Sequence, residues 1–225
     1  MRNGGHVTCG YSLVRYEQWR HSRAGRGSYA RRMIEYRAKF AEHAEELVAT
    51  AEQKPFVVFL FGPGLDSDPR PSVTLRRRLK EALEEAKFIV VRGEDESVDN
   101  PKIKDIGINI QDSELEFAKH HCNAIVIVAD SVGSFCELGL FSWHYAHDNG
   151  SLRHLDFILI IDKKYKPPPG SYLTLGPAQS VHGHGLRLFK SFEDFDVTDV
   201  LSRLIARRGT YTIDQRGRPR ASEPK

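Results

Sequence analysis

The chain has 225 residues, is 40% hydrophobic and carries a formal net charge of +3, material for one sizeable domain and an appendage. Its longest apolar runs, Phe56 to Phe61, Ala124 to Ala129 and Phe157 to Ile161, fall far short of the roughly 20 residues of a membrane-spanning helix, so no membrane partner is expected. Three dispersed cysteines, Cys9, Cys122 and Cys136, argue against a disulfide scaffold and fit a reducing cytoplasm, and the first ten residues lack the apolar core of a secretory signal.

Residues 1–54 read as a basic N-terminal arm and helix. Between Arg15 and Lys39, the basic residues Arg15, Arg20, Arg23, Arg26, Arg31, Arg32, Arg37 and Lys39 face only Glu17 and Glu35, a balance that suits a phosphate backbone or an acidic partner. Ser28 can cap a helix to about Ala51, with Tyr29, Met33, Tyr36, Phe40 and Ala44 at helical spacing. After Lys54-Pro55 the pattern alternates between strand and helix over residues 55–207. Phe56 to Phe61 is a strand, and Ser72 can cap a helix from Val73 to Ala86. Phe88 to Val91 is a second strand, and residues 92–110 a long polar loop. Asp112 or Ser113 starts a helix to His121. Ala124 to Ala129 is the third strand, followed by a helix from Phe135 to His147. Leu155 to Ile161 is the fourth strand, and Pro167-Pro168-Pro169-Gly170 opens a long loop. Leu186 to Lys190 is the fifth strand, Asp194 to Ala206 a closing helix, and residues 208–225 a basic, disordered tail.

Five apolar strands separated by helices predict an α/β fold: a five-stranded parallel sheet in a flavodoxin-like or Rossmann-like three-layer sandwich, with the N-terminal helical arm appended. A flavodoxin-like strand order, 2-1-3-4-5, places the switch point between the ends of the first and third strands, where open α/β sheets bind ligands. Two motif-bearing loops meet there. The first is Phe61-Gly62-Pro63-Gly64, whose glycines let a ligand approach the backbone. It lacks the Gly-Lys-Ser/Thr of a P-loop and is not a dinucleotide fingerprint. Arg70 and Arg76 beyond it read as solvated or paired, with phosphate neutralisation as the alternative.

The second loop is Asp130-Ser131-Val132-Gly133-Ser134-Phe135-Cys136-Glu137-Leu138-Gly139. Ser134 and Glu137 match a capping box, in which the Glu folds back on the cap residue. The competing reading makes Glu137 a nucleophile toward a sugar anomeric carbon, with Asp130 nearby and Gly139 permitting close approach. Asp112, Glu114 and Glu116 are rival acids on the preceding helix, and a solvated face suits any of them. Cys136, Phe141 and Trp143 read as buried. His120-His121-Cys122 ends a helix, where His favours the dipole, and His182-Gly183-His184 lies in a loop that can overhang the sheet.

An apolar strand, Asp130, a Gly-Ser turn and Glu137-Leu138-Gly139 resemble the signature of nucleoside 2-deoxyribosyltransferases and their relatives. With Phe61-Gly62-Pro63-Gly64 and the helix around Ser113 to Ala118, the likeness spans residues 55–207. Among these relatives the chain most resembles the nucleoside-deoxyribosyltransferase-like effectors of bacterial retrons, with Val132 where a proline is expected. The resemblance implies N-glycosidic bond cleavage in a nucleotide, nucleoside or NAD, as an antiphage effector or toxin. On it, Glu137 is the nucleophile, Asp130 binds sugar hydroxyls and Glu114 is an acid near the base. Gly62, Pro63, Gly64, Gly133 and Ser134 shape the substrate site. A Tyr or Asn from elsewhere in the chain is also implied. No metal or cofactor is called for, NAD entering only as a substrate. The implied partners are a nucleic acid or reverse-transcriptase complex on the basic arm and further copies of the chain. The alternative is a nucleotide-sensing module of the same fold without catalysis.

Overall fold

Strand composition sets the architecture. The computed structural model describes residues 49–65, 69–93, 109–147, 151–166, 171–183 and 185–214. All of these belong to one compact unit within residues 48–225. The expected basic arm and nearly all of its helix lie outside the described residues. So do most of the loop after the second strand, the Pro-rich break and residues 215–225. The elements in chain order are β1 (Val57–Phe61), α1 (Pro71–Glu85), β2 (Ile89–Val91), α2 (Ile110–His121), β3 (Ala124–Ala129) and α3 (Val132–Ala146). They continue with β4 (Asp156–Asp162), a 3-10 turn (Lys163–Tyr165), α4 (Tyr172–Leu175), α5 (Pro177–His182), β5 (Leu186–Lys190) and α6 (Thr198–Asp214).

The sheet is all-parallel in the order β2-β1-β3-β4-β5, the expected fold and strand order. In β3 every residue is buried, because a central parallel strand is covered on both faces. Its alternate side chains divide between two cores. Ile125, Ile127 and Ala129 join Phe59, Phe61, Phe157 and Leu159 beneath α2, α3 and α5. Ala124, Val126 and Val128 join Val58, Leu60 and Ile158 beneath α1 and α6. The edge strands are less covered: β5 is half-buried, and Ile89 of β2 is exposed.

Several helix boundaries differ from expectation. Helix α1 starts at Pro71, with Arg70 as cap and no side-chain capping bond; proline suits the first helical position, and Ser72 is released for another contact. Helix α3 starts at Val132, three residues before the expected Phe135. Helix α6 starts at Thr198, after Asp196 Oδ1 accepts the Thr198 N–H at 2.9 Å. It runs eight residues past the expected Ala206 to Asp214. Leu204, Arg208 and Tyr211 are buried at helical spacing and hold its last turns on the sheet layer. Arg208 donates to the carbonyls of Ala86 and Lys87 and stacks 4.2 Å above Phe88.

Candidate active site

The C-terminal edge of the sheet is where the motif loops emerge, and its geometry begins at the end of β1. Gly62 has φ +151°, a conformation only glycine adopts readily. A Cβ there would lie 3.1 Å from the Val128 carbonyl and 3.0 Å from Arg76 Cδ, so this glycine lets the loop lie flat against β3. Arg76, 1% exposed, reaches up from α1. Its Nη1 donates to the Pro63 carbonyl at 2.9 Å and its Nη2 to the Leu60 carbonyl at 2.7 Å. Arg76 is thus committed to the loop's backbone. Pro63 is buried and Gly64 exposed.

At the end of β3, Asp130 joins three elements. Its Oδ2 accepts from Ser72 Oγ of α1 at 2.6 Å. Its Oδ1 accepts from the Tyr165 hydroxyl at 2.9 Å and pairs with Lys164 Nζ at 2.9 Å. Burial alone would raise the Asp130 pKa, but the bonds from Ser72, Lys164 and Tyr165 outweigh it and hold the carboxyl below its ordinary range. Lys164 is pushed up, chiefly by its bond to Asp130. The Tyr165 phenol is pushed up by burial and then by Asp130, and so remains a neutral donor. Neither Lys164 nor Tyr165 was singled out from the sequence. The available signal was Asp162 at the end of β4: its Oδ1 accepts the Lys164 N–H at 2.8 Å and turns Lys163-Lys164-Tyr165 back over the sheet edge. Tyr165 thus stands beside Asp130 at the C-terminal edge of the sheet.

The start of α3 overturns the capping reading of Glu137. Ser131 is the cap, and Ser134 is the third helical residue of a reciprocal capping box. Ser134 Oγ also accepts the Asp130 and Ser131 N–H groups at 3.0 and 2.9 Å. The Ser134 hydroxyl is therefore engaged within the turn and 1% exposed. Val132 occupies the first helical position and is exposed, a place proline would also suit. Glu137 lies in the second turn, beyond the reach of the cap. It is half-buried, with Oε2 closed off from solvent. One turn further on the same stripe, Phe141 packs on Phe61 with ring centroids 4.8 Å apart. Glu137 therefore stands above the Phe61 contact, toward the C-terminal edge. Gly133 and Gly139 face open space, with nothing within 4 Å of a built Cβ.

Two neighbours on α3 correct the expected core. Trp143 is 60% exposed and stacks on His147 at 4.3 Å, because its helical position lies off the Leu138–Phe141–Tyr145 stripe that meets the sheet. Cys136 is exposed for the same reason. Phe141 is buried as expected.

The three rival acids of α2 separate cleanly. Asp112 lies in the first turn, its N–H and carboxylate bonded to Asn109, the cap, at 3.0 Å. Glu116 pairs with Lys119 at 2.9 Å and with His120 at 3.3 Å on the surface; the Lys119 bond leads in holding its pKa down. Glu114 is buried, 8% exposed. A Cβ built on Gly93, just past β2, would lie 2.8 Å from Glu114 Oε1 and 3.9 Å from the Phe61 ring. Gly93 thus makes room for Glu114. Helices α2 and α3, which carry Glu114 and Glu137, both begin at the C-terminal edge of the sheet. A carboxylate withdrawn from water can serve as a nucleophile or as a general acid.

Among the described residues no group of three or more His, Cys, Asp or Glu side chains is placed to hold a metal ion. A search of curated proteins finds no match to this chain. The model of the STM3845 retron effector protein family matches residues 72–211, a span that holds Ser72, Arg76, Glu114, Asp130, Glu137 and Tyr165. It covers more than half of the 225 residues, so the chain belongs to the STM3845 retron effector protein family and has a role in antiphage defence.

Proposed function

We propose that this effector cleaves an N-glycosidic bond in a nucleotide, a nucleoside or NAD, with Glu137 as nucleophile. The observation that carries the reading is the position of Glu137. Ser131 and Ser134 cap α3 without it, and one turn on, Phe141 of its stripe packs on Phe61. In the proposed step a Glu137 carboxylate oxygen bonds to the anomeric carbon as the C–N bond breaks. A nucleobase leaves with the bonding electrons and takes a proton from Glu114, whereas the nicotinamide of NAD leaves neutral on taking the bonding electrons and needs no proton. Water, or a second base, then displaces Glu137 from the glycosyl ester. Asp130, held ionised by Ser72, Lys164 and Tyr165, fixes the floor of the crevice and has acceptor capacity left for a sugar hydroxyl. Gly64 is exposed at the loop, and Gly133 leaves an open approach.

The test is incubation with NAD, nucleosides and nucleotides, with chromatography of the released base. The wild-type protein should release base from at least one of them. Glu137→Gln should fold, keep ligand binding and lose release. Undiminished release by Glu137→Gln would sink the nucleophile assignment. Binding by the wild-type protein with no release from any member of the panel would favour a sensing module.

A further inference from the structure

A second cavity lies at the opposite, N-terminal edge of the sheet. It has a volume of about 240 Å³ and is lined by Tyr145, Arg153, Leu155, Asp156, Arg203 and Arg207. Asp156 opens β4 and is buried. Arg203 holds it with two bonds, Nε to Oδ2 at 2.8 Å and Nη2 to Oδ1 at 2.6 Å. One carboxylate is thereby matched by one guanidinium, and two further arginines line the same space. Arg207 sits one turn beyond Arg203 on α6, and its Nε is closed off from solvent with no acceptor among the described residues. Arg153 gives one bond to the Ala146 carbonyl at the end of α3, at 3.0 Å, which leaves the rest of its five-donor fork for another acceptor. Three guanidinium groups against one carboxylate leave an excess of two positive charges around one cavity. Like charges gathered so closely repel, and a dianion between them would relieve that.

We propose that this cavity binds a phosphate dianion carried by a small molecule, a site separate from the Glu137 crevice. Guanidinium forks match the paired oxygens of phosphate, and the dianion balances the two excess charges. The burial-raised phenol of Tyr145 stays neutral and presents a polar wall compatible with an ester oxygen. The volume, below the usual range of drug-sized pockets, is enough for the phosphate group itself.

The experiment is titration calorimetry on the full chain at low salt, with inorganic phosphate, a nucleoside 5′-monophosphate, the same nucleoside without phosphate, and acetate. Phosphate and the monophosphate should bind, and the nucleoside and acetate should not compete for that site. Arg207→Gln should weaken phosphate binding by about tenfold or more. Arg153→Gln, on an exposed side chain, should do the same without threatening the fold. Glu137→Gln should leave phosphate binding unchanged. No heat with phosphate up to about 10 mM, undiminished binding by both arginine variants, or equal binding of acetate would each overturn the proposal.

Discussion

Ser72 Oγ donates to Asp130 Oδ2 at 2.6 Å, tying the first turn of α1 to the end of β3 across 58 residues of sequence. Both groups are buried, and the acceptor is a carboxylate. Hydrogen bonds to charged groups contribute about 1.5–3 kcal/mol. Ser72→Ala should therefore lower stability by about 1–3 kcal/mol in urea unfolding, with an unchanged slope. Tyr165→Phe, which removes a part-buried partner of the same carboxylate, should cost less. Because the two donors share one acceptor, the double variant should depart from additivity; strict additivity would show that Asp130 does not couple them.

The same carboxylate sets an acid limb. The Asp130 pKa is lowered in the folded protein, so its contribution is fully present above the unfolded value of about 3.9. It is lost as pH falls through the lower folded value. The stability gap between wild type and Asp130→Asn should stay constant from about pH 7 to pH 5 and shrink as pH falls below about 4. Lys164 runs the other way: its raised pKa gives a contribution present below about 10.4 and lost as pH rises through the folded value. Urea midpoints against pH for the wild type and the two single variants, Asp130→Asn and Lys164→Met, resolve the limbs. A gap for Asp130→Asn that widens on acidification would contradict the assignment.

The sheet was legible in the sequence because its strands are buried on both faces and read as unbroken apolar runs; Ala124 to Ala129 needed no further clue. Helix starts were less legible. Ser72 and Ser134 each had the type and position of a cap, yet Ser72 serves Asp130 and Ser134 is the third residue of a helix capped by Ser131. Local pattern cannot tell a cap from a donor to a distant carboxylate. At the candidate site, Asp130 and Glu137 stand out in the sequence through their motif. Tyr165 and Lys164 come from a turn after β4 with no motif of its own, and only the register of β4 beside β3 brings them to Asp130. The choice among Asp112, Glu114 and Glu116 likewise depends on Gly93, which vacates the space Glu114 fills.

Two glycines should respond in opposite directions. Gly62→Ala places a Cβ against the Val128 carbonyl at 3.1 Å and forces alanine to φ +151°, so it should destabilise by about 1–3 kcal/mol. Gly139→Ala places its Cβ in open space inside α3 and should stabilise by about 0.5–1 kcal/mol. Thermal melts compare the two directly. If Gly139→Ala is stabilised yet loses base release, a ligand or another copy of the chain passes close to that face of α3.

Arg76 offers a test of the loop that is independent of any ligand. Its Cδ methylene lies beneath Gly62 and its guanidinium bonds two backbone carbonyls. Arg76→Met keeps much of the volume and removes the donors, leaving the Pro63 and Leu60 carbonyls short of partners. Stranding buried acceptors costs about 1–3 kcal/mol each, so the variant should lose about 2–4 kcal/mol. Arg76→Lys, with one compact ammonium in place of a fork, should recover only part of it. Wild-type stability for both variants would show that the loop holds its shape without Arg76.

Glu137→Gln should be nearly silent in stability, within about 1 kcal/mol, because the capping of α3 runs through Ser131 and Ser134. Ser134→Ala removes the acceptor of the Asp130 and Ser131 N–H groups and one half of the capping box. It should therefore cost about 1–2 kcal/mol. The ordering matters for function. If the ranks were reversed, with Glu137→Gln the more damaging to the fold, a loss of base release in that variant would report unfolding. With the expected ranks, the same loss reports chemistry at the carboxylate. Urea unfolding of both variants beside the release assay settles which of the two it is.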